Sequence, residues 1–570
     1  MLSILQAARV NPQLFIRDSL LILVMAMLAG CGLVYEYLLS QYAGRVLGAF
    51  ESAVYTMIGL MIVSMGLGAF AARKVKDAYK GFVYLEIVIA ILGAGSVLAI
   101  AGLIGWTYTL PQVLADTFGI PPDALPRGGW FGAIHKAALQ LPYIAGVLLG
   151  LFIGMEIPLI ARVREQMYGE HLTHNAGTIY GADYIGAGIG AAIWISLLMS
   201  MEISQAAAWT ASINVLAGFL FLVLYWQKLV WRKLLVVIHL GLAVMVCVIG
   251  LNGQSWLASF TDALYKDQVV FQQQTQYQQI VFTERQLGPE INPVHQFYLN
   301  GRLQFSSQDE YIYHEMLVHP VMALSARQDN ILIIGGGDGL ALREVLKWQP
   351  KQVTLVDLDP QLTHVFQQPN DKLPQRLAQQ VTQLTQNSLN DPRVSVINHD
   401  AFLMVDELLQ QQKSFDSIIV DLPDPNHPDL NKLYSRHFYL RLNQLLAADG
   451  GLVVQSTSPY HAKHAFLAIG KTLRASEFQH VEQYHQNVPS FGEWGWTLAH
   501  KLVAPQQNLK NTQLPISTKW LTPSLLQASF AFPSGYFDVL NDIQVNDLGS
   551  HVLYQYHYQA WRQQLGTVFQ

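Results

Sequence analysis

Two carboxylates stand three residues apart in Asp421-Leu422-Pro423-Asp424-Pro425, immediately after the apolar run 417–420. A strand that feeds a proline-stiffened turn holds both acids at its carboxyl end. Paired acids there suit a cationic amine: one carboxylate takes a proton from an ammonium, and the other holds the chain by charge. From this segment alone, a turn with an aspartate cap would look the same.

A second constellation lies upstream. The apolar run 331–334 leads into Gly335-Gly336-Gly337-Asp338-Gly339, and a helical pattern begins near Leu340. Glycines let the backbone approach a ligand closely, and a helix start offers free N–H groups. The run 353–356 ends in Asp357, and the run 394–397 precedes His399-Asp400-Ala401. Asp357 stands where an acid can accept hydrogen bonds from ribose hydroxyls. The glycine turn is a weak signal alone. With Asp357 and Asp400 on the same sheet edge it points to an adenosine-containing ligand.

The elements that must position these residues are legible. Runs 331–334, 353–356, 394–397, 417–420 and 452–455 read as short buried strands, with helical patterns between several of them. This alternation predicts a doubly wound α/β sheet. Ahead of it, 278–284 and 295–305 alternate as strands do, with Asn300-Gly301 as a hairpin turn, which predicts a small β-hairpin subdomain.

With these segments in order, the C-terminal half resembles the spermidine synthase (polyamine aminopropyltransferase) family. The resemblance is carried by Tyr277-Gln278, Leu299-Asn300-Gly301-Arg302-Leu303-Gln304 and Asp309-Glu310-Tyr311-Ile312-Tyr313-His314-Glu315-Met316. It continues through the glycine turn with Asp338, Asp357, Asp400, the Asp421 loop, Leu433-Tyr434-Ser435 and Phe438-Tyr439, over about 270–535. It implies an α/β Rossmann-like domain of the S-adenosylmethionine-dependent methyltransferase type. It also implies transfer of an aminopropyl group from decarboxylated S-adenosylmethionine to putrescine, giving spermidine and 5'-methylthioadenosine. On this resemblance Gln278, Tyr313, His314 and Asp338 surround the aminopropyl and sulfonium part of the donor. Asp357 holds the ribose, Asp400 lies near the adenine, Asp421 is the base and Asp424 positions the diamine. The donor is a co-substrate, so no cofactor is expected, and displacement at a sulfonium needs no metal. The family also implies a homodimer, and the fusion to a helical membrane bundle resembles a bacterial subgroup.

Two departures bear on the amine. Family members often carry a Tyr after Pro-Thr, where this chain has Val488-Pro489-Ser490-Phe491-Gly492-Glu493-Trp494. The Asp421 loop also has Leu-Pro between its acids rather than a small polar pair. Glu493 and Trp494 are expected to line the amine pocket, since a carboxylate and a ring both suit a cation. Two other functions fit less well. An S-adenosylmethionine methyltransferase has no use for the paired acids, nor for Asp338, which repels the carboxylate of the undecarboxylated donor. A polyamine transporter or sensor with a non-catalytic binding domain has no use for a base at Asp421.

The first 250 residues or so are apolar runs split by short polar loops, in a chain that is 51% hydrophobic and 13% charged overall. Seven runs, at about 18–41, 51–72, 80–106, 136–162, 178–201, 204–227 and 233–252, are candidate membrane helices. Each reaches the ~20 residues a helix needs to cross a bilayer. Gly59, Gly66, Gly68, Gly181, Gly186, Gly188 and Gly190 recur at spacings that let helices pack closely in lipid. Glu36, Glu86, Glu156 and Asp183 fall within the runs, where charges must face the bundle interior or water. As a hypothesis they form a site or path for cationic polyamine. The predicted parts are a transmembrane bundle over 1–252, a connector over 253–275, a small β subdomain over 276–327, and the Rossmann-like domain with a C-terminal extension over 328–570.

The expected location is the inner cell membrane, with lipid and a small polyamine as partners. Basic clusters at Arg73, Lys74, Lys76 and Lys80, at Arg162 and Arg164, and at Lys228, Arg232 and Lys233 favour the cytoplasmic side together with the N-terminus. Seven crossings would then carry the C-terminal half outside, whereas an intracellular donor requires it in the cytoplasm. The first run is too long for a cleaved signal peptide. Cys31 and Cys247 lie inside apolar runs and offer no disulfide framework or metal cluster. A net charge of −5 argues against nucleic acid as a partner.

Overall fold

The computed structural model describes residues 12–47, 50–118, 129–169, 174–262, 265, 267–288, 291–510 and 512–568. The chain divides into two compact units, Met1–Lys266 and Asp267–Gln570.

The first unit is helical. Among the described residues, seven helices are long and apolar enough to cross a membrane: Pro12–Gly44, Ala53–Lys74, Ala78–Thr107, Ala133–Tyr168, Asn175–Ser200, Ile203–Leu224 and Arg232–Leu257. The fourth is interrupted at Gly154-Met155, between helices Leu141–Ile153 and Glu156–Tyr168. Helices Pro12–Leu47 and Asn175–Ser196 approach until their backbones touch: a side chain at Gly186 would collide with Ala26, and one at Gly190 with Gly30. Gly68 does the same against Leu151, whereas Gly59, Gly66, Gly181 and Gly188 face open space. Small residues therefore set the helix spacing at three of the seven predicted positions. The predicted connector resolves into other elements: residues up to Asp262 continue the last helix, and the first strand starts at Gln268. Within the predicted connector, residues 263, 264 and 266 lie outside the described residues.

The second unit opens with an antiparallel sheet, β1 (Gln268–Gln274), β2 (Gln279–Arg285), β3 (Val294–Leu299) and β4 (Arg302–Ser306), in that order. Asn300 and Gly301 both have positive φ, 50° and 76°, as the predicted two-residue hairpin turn requires. Helix Glu310–Leu324 follows, then the main sheet. Its strands are β5 (Asn330–Gly335), β6 (Gln352–Asp357), β7 (Val394–Asn398), β8 (Phe415–Asp421), β9 (Leu446–Gln455), β10 (His480–Val488) and β11 (Gly492–His500). The spatial order is β10-β11-β9-β8-β5-β6-β7. β5 to β9 are parallel, and β11 runs antiparallel to both β9 and β10. The result is a doubly wound sheet with one reversed strand. Alternate residues of β5 feed opposite cores. Ile331 and Ile333 pack with helix 310–324 and the small sheet, Leu332 and Ile334 with helices Arg436–Leu445 and Lys463–Arg474. Phe282, Phe297 and Phe305 of the small sheet meet Phe366, so the predicted subdomain shares one core with the main sheet.

Candidate active site

The parallel register brings the predicted acids to one rim. Gly335 pairs with Asp421 across β5 and β8, and Asp357 with Asn398 across β6 and β7. Along the carboxyl ends the order is therefore Asp421, the glycine turn with Asp338, Asp357, then Asp400, where ligands bind in open α/β sheets.

The glycine turn is shaped for close approach. Gly335, Gly336 and Gly339 have φ of 80°, 66° and 76°. A side chain at Gly335 would collide with the Asp421 carbonyl, and a methyl at Gly337 would lie 2.7 Å from the Asp357 carboxylate. The Gly337 N–H donates instead to Asp357 Oδ2 at 3.1 Å, and the Asp359 N–H to Oδ1 at 2.9 Å. Burial pushes the Asp357 carboxyl up to about 6, against the pull of these N–H groups.

Asp421 is the centre of the rim. Tyr313, from helix 310–324, donates its hydroxyl to Asp421 Oδ1 at 2.7 Å. Burial raises the Asp421 carboxyl, His314 and the Tyr313 bond lower it, and Asp338 raises it again, for a net value of about 6. Asp338 is raised too, by burial first, with His314 opposing. His314 itself is fully enclosed, and burial alone would discharge it. Glu310 reverses that: its side chain meets His314 Nδ1 at 3.0 Å, and the imidazole is driven up, toward the cation. Glu310 is held ionised in turn by two bonds from Arg343, at 2.8 and 2.9 Å.

Asp424 caps the other end of the loop. His557, from the C-terminal helix Val552–Val568, contacts Asp424 Oδ2 at 3.2 Å, and Arg302 lies within electrostatic reach. Asp424 Oδ1 is buried and has no hydrogen-bond partner among the described residues, so one acceptor stays open. Tyr434, fully buried, fixes the loop by donating to the Pro423 carbonyl at 2.9 Å while accepting from Gln455 at 2.7 Å.

The remaining predicted residues fall in different places. Gln278 donates to Asp359 Oδ2 at 3.0 Å, which ties it to the end of β6. Asp400 caps helix Ala401–Gln410 and pairs with Lys432 at 2.7 Å. Trp494 packs on Phe491 at 5.3 Å, and Phe491 stands edge-on to Tyr313 at 6.1 Å, so both rings lie on the Tyr313 side. Glu493 does not join them. Alternation along β11 turns it to the opposite face, where it pairs with His485, and the expectation that it lines the amine pocket is corrected on that ground.

Sequence reasoning also missed Glu310, Arg343, Asp359 and His557. Glu310 sits inside the quoted 309–316 motif, but its partner Arg343 is 33 residues away. His557 is 133 residues from Asp424, and no local pattern marks it. One further cluster, Glu315, His319 and Glu344, brings ligand atoms within 4.8 Å of one another. Glu315 already accepts three backbone N–H bonds, from Lys519, Trp520 and Leu521. Glu344 is taken by Arg343 and Lys347. This trio is a structural knot, with little left to offer an ion.

Comparison with known proteins points to one family. The family model for the spermine/spermidine synthase domain matches residues 310–511. A Shewanella oneidensis polyamine aminopropyltransferase is 55% identical over 551 residues, covering 96% of this chain and 96% of its own. A Streptomyces coelicolor protein, polyamine aminopropyltransferase 1, is 32% identical and covers 95% of this chain and 94% of its own. A crystal structure of spermidine synthase in complex with the transition state analogue AdoDATO aligns with 48% of this chain and 88% of its own, at 26% identity and a TM-score of 0.41.

Proposed function

The chain belongs to the polyamine aminopropyltransferases, and on that premise we propose that it moves the aminopropyl group of decarboxylated S-adenosylmethionine onto putrescine, releasing 5'-methylthioadenosine. Its activity is aminopropyl transfer that forms spermidine. The choice of donor and acceptor rests on the rim of acids. The donor carries a sulfonium and an ammonium, and Asp338 attracts the latter while repelling the carboxylate of the ordinary donor. Asp357 is the ribose ligand in this reading and Asp400 the residue beside the adenine.

The chemistry needs one proton removed. A primary amine is protonated at neutral pH, so its lone pair must be unmasked. Asp421 takes the proton. The nitrogen lone pair then forms the new C–N bond as the C–S bond breaks, and the bonding electrons leave with sulfur as a neutral thioether. A carboxyl near 6 is ionised at neutral pH yet more basic than an ordinary aspartate, which suits a general base. Asp424, with Oδ1 open, holds the far ammonium of the diamine. The observation that carries this reading is Asp421 at the end of its strand, beside the glycine turn and bonded by the Tyr313 hydroxyl. Asp421→Asn should lower kcat by about 10²–10⁴-fold and remove the acidic limb of the rate profile near pH 6. Near-normal turnover by the purified variant would rule out the base.

We propose in addition that the N-terminal unit crosses the inner membrane. Seven helices have the needed length and hydropathy, and Ile62, Val63, Phe70, Val237, Val244 and Leu251 point outward and exposed, as lipid-facing residues do.

A further inference from the structure

The helical unit contains a polar interior that the transfer reaction does not use. Tyr35 donates to Asn214 Oδ1 at 2.9 Å, and Asn214 Nδ2 donates to Glu86 Oε2 at 3.0 Å. There the chain of bonds stops. Glu86 Oε1, Glu156 Oε2 and His239 Nε2 are buried with no hydrogen-bond partner among the described residues. The three side chains are 1%, 2% and 2% exposed. His239 Nδ1 lies 2.8 Å from the Leu235 carbonyl, which can only accept, so Nδ1 carries the hydrogen and Nε2 of the neutral ring is a free lone pair.

These acceptors are neighbours. A methyl at Gly218 would lie 2.6 Å from His239 Nε2 and 3.1 Å from Glu86 Cβ, so the imidazole nitrogen is set beside the Glu86 side chain. Glu156 is within electrostatic reach of Glu86 and Asp183, and it opens the helix that follows the Gly154-Met155 interruption. Gly93 lets the Tyr35 ring lie against its helix: a side chain there would collide with the Tyr35 ring and hydroxyl. One oxygen of each carboxylate and the imidazole nitrogen lack a donor among the described residues, and inside an apolar bundle a donor that serves them offsets a cost.

We propose that Glu86, Glu156 and His239 form a buried binding site for a protonated aliphatic amine, in a different unit from the aminopropyl-transfer site. An ammonium offers three N–H donors and one positive charge, and it can serve carboxylate oxygen and imidazole nitrogen alike. A hard metal cation takes oxygen ligands and leaves the nitrogen unserved. The hydrocarbon part of the amine is at home among the apolar walls.

Native mass spectrometry of the detergent-purified full-length protein in excess spermidine counts the bound amines. Two per wild-type chain are expected, and one per chain in Glu86→Gln/Glu156→Gln, with the transfer rate kept within about twofold. A single amine in the wild type, two in the double variant, or displacement of the second by sodium at equal concentration would overturn the site. If the double variant loses transfer as well, the wild-type protein decides. An apolar carbodiimide should join bound spermidine through an amide to Glu86 or Glu156, and a digest without that peptide overturns the proposal. Product formation is read separately, so failure of this site and failure of the transfer reading are told apart.

Discussion

A histidine sealed away from water normally loses its charge, and His314 is driven the other way by Glu310 first, then by Asp338 and Asp421. The charge is spent on the acids in front. It lowers Asp421 and Asp338, which burial alone would drive higher. Glu310→Gln should therefore weaken the imidazolium, let Asp421 rise above about 6, and move the acidic limb of kcat/KM to higher pH. A pH–rate profile of the variant checks this, and an unmoved limb would show that His314 does not act on the base. The acids themselves were legible in the sequence because each ends a strand or its following turn, so local pattern fixes its place on the rim. Glu310 and Arg343 were not, because their role exists only once helix 310–324 lies against helix Leu340–Leu346.

At the scale of elements, β11 decides which side chains face Tyr313. Trp494 and Trp496 share the face toward Tyr313, and Glu493 shares the face of His485. The sequence reading puts Glu493 and Trp494 together because it marks no strand over their segment, and a strand separates adjacent residues by its pleat. The hairpin of β10 and β11 escaped notice because residues such as His480, Glu482 and Gln486 break any apolar run. Strand β1 was missed for a similar reason: nearly every residue in it is half-buried, so no inward–outward alternation marks it. Trp494→Ala should raise the KM for the diamine about tenfold with little change in donor KM, and Glu493→Gln should leave both within about twofold. Equal effects of the two substitutions would contradict the alternation argument.

For the whole molecule, two expectations about sidedness oppose each other. Arg162 and Arg164 are anchored at the end of the helical unit that holds Asp18, Ala72 and Val75, and the positive-inside rule assigns that end to the cytoplasm. With seven spans, the catalytic unit then emerges on the other side. The donor proposed above, an intracellular metabolite, requires the reverse. A single cysteine at Tyr460, 76% exposed, reports the outcome through a membrane-impermeant thiol reagent, with Cys31 and Cys247 replaced. Labelling only after the cells are opened is the expected result, and labelling of sealed cells would place catalysis outside.

The partnership of His557 with Asp424 carries one more implication. The contact joins helix Val552–Val568 to a loop 133 residues earlier in the chain, so the setting of Asp424 depends on a segment outside the sheet. Deleting 552–568 should leave the sheet folded and slow the turnover of diamine at least tenfold, and an unchanged rate would show that His557 does not position Asp424.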